Sequence, residues 1–393
     1  MKRKAAKVSV SVAFQFVLTM GAVNLFGDMT YEGGGSINGQ FLGTFGASAA
    51  AISIIAGFGE FLGYSVRSVS GYIADKTGRY WVVTFIGYLI NTLAVPAMAL
   101  AGSWEVAGAL VLAERVGRAI RKPTVEAMLS YTTGSLGKGW VYAVNTALDE
   151  IGATVGPLVV ALVLFLKGSY QTAYGLLLIS AVLTLGSLTA ARIGFPLPSR
   201  LDQGGAPTSK GFDRAYWIYM AAGAAFAAGL MSFELISYHF ARTRLVAEHL
   251  IPVMLGFSTG CGVIASLVLG RLYDRIGLRV VLAAVFLSAL FAPLVFQGSL
   301  LAAIIAMPLW GIGYATQDTL LKAIVAGQLP EGRRNLAFGL FYTGYGTGWL
   351  IGSIVTGLLY DRFRVALIVF AVVAQLASLP LFLLADRTGK RPR

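Results

Sequence analysis

The sequence predicts an all-α membrane protein with twelve transmembrane helices in two pseudo-symmetric six-helix bundles. The first observation is composition: of 393 residues, 56% are hydrophobic and only 12% are charged, and the mean hydropathy is +0.73. A soluble domain averages about 25% charged residues. So few charges could not cover a water-facing surface on a chain of this length. The other two observations are the spacing of the apolar runs and an internal repeat, which are described below.

The rare residue types exclude several classes of site. A single cysteine, Cys261, excludes a disulfide within the chain and a Cys-rich metal site, and two histidines, His239 and His249, are too few for a typical His-based metal site. We therefore expect no metal and no cofactor. The formal net charge of +13 does not indicate a nucleic-acid partner, because the charges lie at the ends of apolar runs, as membrane topology requires. We expect the lipid bilayer as the surrounding medium.

The apolar runs give the order of the helices. A helix that spans a bilayer needs about 20 mostly apolar residues. Such runs lie at 8–31, 45–70, 80–102, 104–130, 140–166, 171–193, 216–240, 250–270, 279–297, 300–327, 335–357 and 364–385. The first run follows a basic start and resembles a signal peptide, but it is too long for one and lacks an A-x-A site, so we expect it to be retained. The fourth and tenth runs are interrupted by charged residues.

A polar stretch and the basic residues predict the domains and the orientation. Residues 195–214, rich in Pro, Gly and Ser, read as a linker between an N-terminal bundle, 1–194, and a C-terminal bundle, 215–393. With both termini in the cytoplasm, Lys and Arg in the inside segments outnumber those outside by about four to one. We expect a multi-pass, monomeric protein of the plasma membrane with both termini cytoplasmic.

The two halves share short motifs. The pattern G-x-x-x-D-(K/R)-x-G begins at Gly71 after the second span and again at Gly270 after the eighth. At a constant offset, Gly117 falls on Gly313, and two further glycines in the fifth span fall on glycines in the eleventh. Tandem six-helix repeats of this kind build many transporters, with the substrate site at the interface of the halves.

These features together resemble the major facilitator superfamily, in spans, repeat, central linker and loop motif. The resemblance implies that the loop motif acts as a latch on the cytoplasmic side, formed by Gly71, Asp75, Arg79, Gly270, Asp274 and Arg275. The alternative is a solvated turn. The sequence departs from the family pattern at Tyr80 and at Leu278, where basic residues are frequent.

The fifth span resembles the end of the family's antiporter motif. It carries Gly152, Gly156 and Pro157, but Val160 and Ala161 stand where trailing glycines are expected. The resemblance therefore favours antiport only slightly over symport. The alternative is that Pro157 bends the helix while the glycines pack against a neighbour.

The fourth span contains six charged residues between Glu114 and Glu126. A charge at mid-membrane costs about 2.5–3.5 kcal/mol on insertion scales. These side chains must therefore pair, face a wet cavity or lie near the inner surface. Helical spacing puts Glu114, Arg118 and Arg121 on one face, and Arg115, Lys122 and Glu126 on another.

The repeat predicts an inner gate. At the offset that relates the glycines, Lys122 falls on Asp318 and Glu126 falls on Lys322, so the signs of the charges are exchanged between the halves. We expect ion pairs across the cytoplasmic side, Lys122 with Asp318 and Glu126 with Lys322, or the crossed set. Pairing within each helix is the alternative.

Other charges within spans extend the predicted substrate and proton pathway. The whole predicted set is Asp28, Glu60, Arg67, Arg115, Arg118, Arg121, Asp149, Glu150 and Glu234. The resemblance assigns Arg115 a supporting role in proton coupling, and intramembrane carboxylates are typical of proton relays. Two additional arginines favour an anionic or zwitterionic solute. We expect Asp28 and Glu234 at the outer entrance.

These residues predict a secondary active transporter with alternating access, coupled to protons, with efflux by antiport slightly favoured. No Walker-type phosphate loop occurs, so direct use of ATP is unsupported. The alternatives are a proton-coupled uptake symporter and a lipid or amphiphilic drug exporter. We do not expect an enzyme or a receptor, because no nucleophile elbow and no metal-ligand cluster is found.

Overall fold

The computed structural model describes residues 10–130, 138–195, 213–321, 324 and 334–389, and the regular elements within these ranges are all helices. The N-terminal half contains α1 Val10–Gly35, α2 Asn38–Thr44, α3 Ala49–Thr77, α4 Tyr80–Ala97, α5 Trp104–Ser130, α6 Lys138–Phe165 and α7 Tyr170–Gly194. The C-terminal half contains α8 Arg214–Gly229, α9 Phe233–Thr243, α10 Ile251–Ile276, α11 Leu278–Ala289, α12 Phe291–Phe296, α13 Leu300–Ala315, α14 Arg334–Tyr360 and α15 Arg364–Gly389. A π-helical turn, Thr316–Leu321, extends α13.

Ten helical stretches in the described ranges are long and apolar enough to cross a membrane. Two further helices of 27 residues each, α5 and α14, lie where the sequence predicts the fourth and eleventh spans. The all-α membrane fold is therefore confirmed. The predicted linker falls almost wholly on residues 196–212, which lie outside the described part of the chain, so the domain boundaries stay predictions.

Local capping sets the ends of α3. The helix begins after Ser48, whose hydroxyl accepts a hydrogen bond from the backbone N–H of Ala51 at 3.1 Å. It ends at Gly78, which adopts a left-handed conformation with φ 66°. The predicted span at 45–70 therefore starts too early and ends too early, because apolar residues alone do not show where a cap lies.

The predicted seventh span, 216–240, is broken in the structure. Helix α8 ends at Gly229 and α9 begins at Phe233. Side chains from distant helices satisfy the carbonyl groups that the break frees: Gln375 Nε2 donates to the Gly229 oxygen at 3.0 Å, and Trp310 Nε1 donates to the Met231 oxygen at 2.8 Å. Within a membrane a broken helix is tolerated where such partners exist. The break places Glu234 in the first turn of α9.

The two halves use the same close packing. Gly152 and Gly156 of α6 lie directly against the backbone of Leu25 and Met29 in α1. In the C-terminal half, two glycines of α14, Gly348 and Gly352, lie in the same way against the backbone of Ala224 and Ala228 in α8. Small residues permit such close approach between helices in lipid. The glycine repeat therefore reports equivalent helix pairs, as the pseudo-symmetric fold predicts.

The main contacts between the halves are α3 with α14, α6 with α10, and the short α2 with α9. The last contact is the tightest, because Gly39 of α2 lies against the backbone oxygen of Glu234, and Gly43 lies against the ring of Tyr238. Helix α2 follows the C-terminal end of α1, which is the predicted outer end. The structure is therefore closed between the halves at that end.

Candidate functional site

Arg115 forms ion pairs with a carboxylate in each half of the molecule. It lies on α5, and its Nη1 donates to Glu60 of α3 in the same half. Its Nη2 donates to Glu234 of α9 in the other half at 2.8 Å. The side chains of Arg115 and Glu234 are 14% and 5% exposed, so water screens this bridge little. A planar guanidinium can hold two carboxylates at once, which an ammonium group cannot do with fixed geometry.

Arg118 belongs to the same cluster. Its Nε lies 3.4 Å from Glu114 Oε1, one helical turn away, and its Nη2 lies 3.8 Å from Glu60. The guanidinium is placed over the ring of Tyr31, 4.6 Å from its centre, where a cation is attracted to the π-face. Arg115 and Arg118 thus share Glu60 and Glu114. Although helical spacing puts Arg115 on a different face of α5 from Arg118, both long side chains reach the same two carboxylates.

Arg121 lies in a second, deeper set of contacts. Its Nη2 is 3.3 Å from Asp28 Oδ1 of α1, and its Nη1 donates to the hydroxyl of Tyr88 at 3.0 Å. Its Nε donates to Asn91 Oδ1 at 3.2 Å, while the Asn91 amide donates to Glu114 Oε1 at 2.8 Å. Asn91 therefore connects the Arg121 contacts to the Arg115 and Arg118 cluster.

A row of amides continues the network towards α6. The Tyr88 hydroxyl donates to Asn24 Oδ1, and Asn24 Nδ2 donates to Asn145 Oδ1 at 2.8 Å. Asn145 Nδ2 in turn donates to Asp149 Oδ2 at 3.3 Å. The other carboxylate oxygen of Asp149 makes no hydrogen bond to the described residues. Asp149 is therefore the end of a continuous polar row that starts at Arg121.

The ion pairs of α5 contain more carboxylates than guanidiniums. Four carboxylates, from Asp28, Glu60, Glu114 and Glu234, face the three guanidiniums of α5. Removing one partner of a buried pair costs about 3–5 kcal/mol, because a charge is left uncompensated. The pairing therefore explains how α5 holds so many charges. It also means that no guanidinium of this set is available to an anion unless a carboxylate moves or takes up a proton.

An aromatic cluster lies next to the charges on the side of the C-terminal half. Tyr64 of α3 stacks on Tyr342 of α14 with ring centres 5.3 Å apart, and its hydroxyl accepts a hydrogen bond from Gln317. Tyr345 donates to Gln317 Oε1 at 2.9 Å and is fully buried beside Trp349. The ring of Tyr64 is thus held between the two halves.

Several residues of this site are absent from the set predicted from the sequence. They are polar or aromatic side chains inside apolar runs: Asn24, Tyr31, Tyr64, Tyr88, Asn91, Asn145 and Gln317. A buried amide within a transmembrane run is itself a signal, because an unpaired polar group in lipid is costly. The asparagines could have been found in that way. The tyrosines could not, because tyrosine is also common in packing and at membrane interfaces.

Asp28, Glu234 and Arg67 of the predicted set have contacts that the sequence does not show. Asp28 and Glu234 were expected at the outer entrance, but the structure buries them at 7% and 4% exposure and pairs each with an arginine of α5. The break before α9 and the cover formed by α2 explain the burial of Glu234. The guanidinium of Arg67, which belongs to the predicted pathway set, lies 5.2 Å from the centre of the Tyr64 ring.

Other predicted sites are described only in part. Lys122 and Glu126 are exposed on α5, whereas the side chain of Asp318 and the whole of Lys322 lie outside the described residues. The side chains of Asp75 and Asp274 also lie outside them, while Arg79 and Arg275 are exposed. Of the loop motif, a side chain at Gly71 would meet Pro123 of α5, and one at Gly270 would meet Thr319. The inner gate, the latch and the role of Glu150 therefore stay predictions. Pro157 lies inside α6, next to the packed glycines.

Comparisons with known proteins agree with this architecture. The family model of the Major Facilitator Superfamily matches residues 215–393. An uncharacterized protein of Mycobacterium tuberculosis is 32% identical over 375 residues, which cover 93% of this chain and 92% of the relative. An uncharacterized MFS-type transporter of Methanocaldococcus jannaschii is 27% identical over 360 residues, 88% of each chain.

Solved structures share the fold at low sequence identity. A crystal structure of the nucleoside transporter NupG superposes with a TM-score of 0.76 at 15% identity, covering 94% of this chain and all of that one. A crystal structure of the peptide transporter POT superposes with a TM-score of 0.78 at 15% identity, covering 98% and 99%. At these identities the likeness concerns the fold alone.

Proposed function

The chain belongs to the Major Facilitator Superfamily, and from that premise we propose that it is a proton-coupled secondary transporter of a small zwitterionic organic solute, working by alternating access. That it is a membrane transporter of this type follows from its family. The proposal concerns the solute class, the coupling and the residues that carry them. The observation that carries it is the bridge from Glu60 through Arg115 to Glu234, which ties one half of the molecule to the other.

The bridge suggests how a solute and a proton are coupled. A ligand shifts a conformational equilibrium only by its different affinity for the two states. A carboxylate of the solute that pairs with Arg115 competes with Glu234, and a proton on Glu234 removes its attraction to the guanidinium. Either event loosens the charge contact between the halves. Binding a proton and binding the anionic group are therefore linked through one side chain.

The acidic balance favours a zwitterion over a simple anion. The ion pairs of α5 contain one carboxylate more than guanidiniums, so a solute that also carries an ammonium group replaces the contact that the displaced Glu234 loses. An anion would need a proton on a carboxylate first. The neighbouring tyrosines, Tyr31 and Tyr64, offer rings against which the body of a solute can pack.

The proposed direction of transport comes from α6. The glycines and proline of α6 resemble the antiporter motif, and so we propose efflux by exchange with protons as the first direction, and uptake by symport as the second candidate. Gly152 and Gly156 pack against α1, which equally serves the fold alone. Location in the plasma membrane, cytoplasmic termini, a monomeric state and the inner gate of Lys122, Glu126, Asp318 and Lys322 belong to the same proposal.

A binding screen followed by a flux assay tests the proposal. Purified protein is melted in the presence of zwitterions (amino acids, dipeptides, betaines), organic anions, sugars and lipophilic cations, because a ligand of the native state raises the melting temperature. We expect stabilisation by zwitterions, lost in Arg115→Gln, which removes the guanidinium proposed to pair with the carboxylate of the solute. Proteoliposomes with an imposed pH gradient then measure flux of the bound solute.

The flux assay distinguishes a variant that no longer binds the solute from one that binds it but no longer couples its transport to protons. Glu234→Gln keeps a neutral hydrogen-bonding group beside Arg115, and we expect it to retain solute exchange but to lose the response to the pH gradient. Glu105→Gln, an exposed change at the start of α5, is the matched control and should leave both unchanged. Full gradient-driven transport in Glu234→Gln would exclude this carboxylate from coupling. Stabilisation only by lipophilic cations would favour amphiphile export instead.

A further inference from the structure

Glu32 of α1 is a carboxylate without a partner in the described part of the chain. Its side chain makes no hydrogen bond and no ion pair with the described residues. The charges of Arg118 and Arg115 nevertheless act on it, so it lies beside the ion pairs of α5. The residue is partly exposed, and its carboxylate oxygens keep accessible surface. A group of another molecule can therefore reach them.

The two guanidiniums that act on Glu32 are already engaged by other carboxylates. Arg118 lies 3.4 Å from Glu114 and 3.8 Å from Glu60. Arg115 contacts Glu60 as well and holds the bridge to the other half. A carboxylate that stays ionised away from bulk water costs free energy unless a cation meets it. Glu32 is therefore a place where the cation of a bound molecule is stabilised.

Arg67 of α3 does not supply that cation. It follows Glu60 by seven residues, which is about 10 Å along the helix axis, and its guanidinium lies 5.2 Å from the centre of the Tyr64 ring. It makes no ion pair with Glu32 or with any other residue in the described ranges. Those ranges therefore hold no side-chain cation in contact with Glu32.

Tyr31 provides a second acceptor beside Glu32. It precedes Glu32 in α1, and the charge of Glu32 acts on its hydroxyl. That hydroxyl makes no hydrogen bond to the described residues and keeps accessible surface, while the ring is held by the guanidinium of Arg118, 4.6 Å from its centre. A primary ammonium group has three N–H donors, which a carboxylate and a phenolic oxygen can accept. A quaternary ammonium group has none, so this pair selects a primary amine.

The bridge calls for an ammonium group of its own. In the proposed function the carboxylate of the solute replaces Glu234 at Arg115, and an ammonium group meets the displaced Glu234. Glu32 is a different carboxylate, on a helix of the other half, and Arg115 acts on it without forming an ion pair. Two carboxylates on opposite halves therefore require cations when the solute is bound.

This inference rests on the proposed function and specifies its solute. A molecule that satisfies all three groups carries one carboxylate for Arg115 and two ammonium groups for Glu234 and Glu32. We propose that the solute is a diamino monocarboxylic acid such as lysine or ornithine, with its α-ammonium group at Glu234 and its side-chain ammonium group at Glu32. The methylene chain between them packs against the partly exposed ring of Tyr314 in α13, which lies within electrostatic range of Glu234.

The test compares L-lysine with L-norleucine, which has the same carbon chain without the side-chain ammonium group. Binding to the purified full-length protein is measured by calorimetry. We expect the wild type to bind lysine at least about tenfold more tightly, because a hydrogen bond between charged groups is gained. Glu32→Gln should remove this preference and leave the affinity for norleucine unchanged. Tyr31→Phe, which keeps the ring beside Arg118, should reduce the preference several-fold.

Two controls show that a lost preference is not lost folding. The melting temperature of Glu32→Gln should equal or exceed that of the wild type, because the substitution removes no ion pair of the described residues. Glu105→Gln, an exposed change at the start of α5, should keep the full preference for lysine.

The outcomes distinguish this inference from the function on which it rests. Equal affinities for lysine and norleucine in the wild type, or an unchanged preference in Glu32→Gln, overturn the inference. The zwitterion site survives both results if norleucine binding is lost in Arg115→Gln. Binding of neither amino acid also overturns the inference, and proton-driven flux of another zwitterion in proteoliposomes would then still support the proposed function.

Discussion

Arg115 forms ion pairs with both halves of the molecule, which Arg118 and Arg121 do not do within the described residues. Arg118 and Arg121 pair with carboxylates of the N-terminal half, whereas Arg115 alone among the three also contacts a carboxylate of the C-terminal half. The three residues are spaced by one turn of a single helix, so the sequence predicts that they lie near each other. It does not predict which of them crosses between the halves, because that depends on where α9 begins. The break at Leu230–Ser232 decides it.

A double-mutant cycle between Arg115 and Glu234 tests the strength of this bridge. We expect Arg115→Gln to lower the free energy of unfolding by about 3 kcal/mol, since it leaves the buried Glu234 without its ion-pair partner and Glu60 with the more distant Arg118. Chemical unfolding of the detergent-solubilised protein measures it. Adding Glu234→Gln should cost less in that background than in the wild type, with a coupling energy of about 1–3 kcal/mol.

The control for the cycle is Arg362→Gln, since Arg362 is exposed. A surface substitution of this kind changes stability by less than about 0.5 kcal/mol. Strictly additive effects of Arg115→Gln and Glu234→Gln would show that the contact between the two side chains contributes no stability.

At the scale of the elements, the length of the apolar runs in the sequence predicts the long helices. It does not predict where those helices are interrupted. The i,i+4 relation of Glu114 and Arg118 is confirmed as an ion pair, because a helix brings these positions together wherever it lies. The break between α8 and α9 was not predictable, since the side chains that satisfy it, Gln375 and Trp310, come from α15 and α13. Information of that kind resides in tertiary packing.

Two glycines provide a matched test of helix packing. A side chain at Gly156 of α6 would meet the backbone oxygen of Met29 and the backbone nitrogen of Gly33, the latter at 2.9 Å. A side chain at Gly175 of α7 would meet nothing within 4 Å. We expect Gly156→Ala to destabilise the protein by about 1–3 kcal/mol through overpacking. Gly175→Ala should leave the melting temperature unchanged or raise it, because alanine favours a helix over glycine. Equal effects of the two substitutions would contradict this assignment.

At the scale of the whole molecule, the repeat predicts the pairing of helices, whereas its inner gate involves residues outside the described part. The glycines of α6 and α14 have equivalent packing partners, so the offset between the halves corresponds to a real relation in space. Among the described residues, the buried ion pairs do not repeat in the two halves. The buried ion pairs of the described residues centre on α5, and Glu234 is the residue of the C-terminal half that joins them. A site of this kind is asymmetric although the fold is not.

The inner gate makes a prediction that involves both halves. If Glu126 and Lys322 pair across the cytoplasmic side, Glu126→Lys and Lys322→Glu should each reduce transport, because like charges then face each other. The double reversal should restore much of the activity, measured as flux in proteoliposomes. The pairing is wrong if the double variant is no more active than either single variant. Reversal of Glu105, which is exposed near the other end of α5, serves as the control for charge alone.

Closure at the opposite end depends on one close approach between the halves. Gly39 of α2 lies against the backbone oxygen of Glu234, so a valine there cannot be accommodated while α2 covers α9. Because the contact is lost when the halves separate, we expect Gly39→Val to shift the equilibrium towards a state open at this end rather than to unfold the protein. Gly35→Val is the matched control, since a side chain at Gly35 meets nothing within 4 Å.

The shift is measured by labelling a buried position with a membrane-impermeant maleimide. Cys261 is the single native cysteine and is first replaced by serine. Ser232→Cys then places a thiol at a site that is 5% exposed, before the first turn of α9, where the serine makes no capping hydrogen bond. Labelling should be slow in this background, faster with Gly39→Val and unchanged with Gly35→Val. Equal labelling rates in all three would mean that α2 does not control access to the ion pairs, and the closed end would then have to be held by α3 with α14 and α6 with α10.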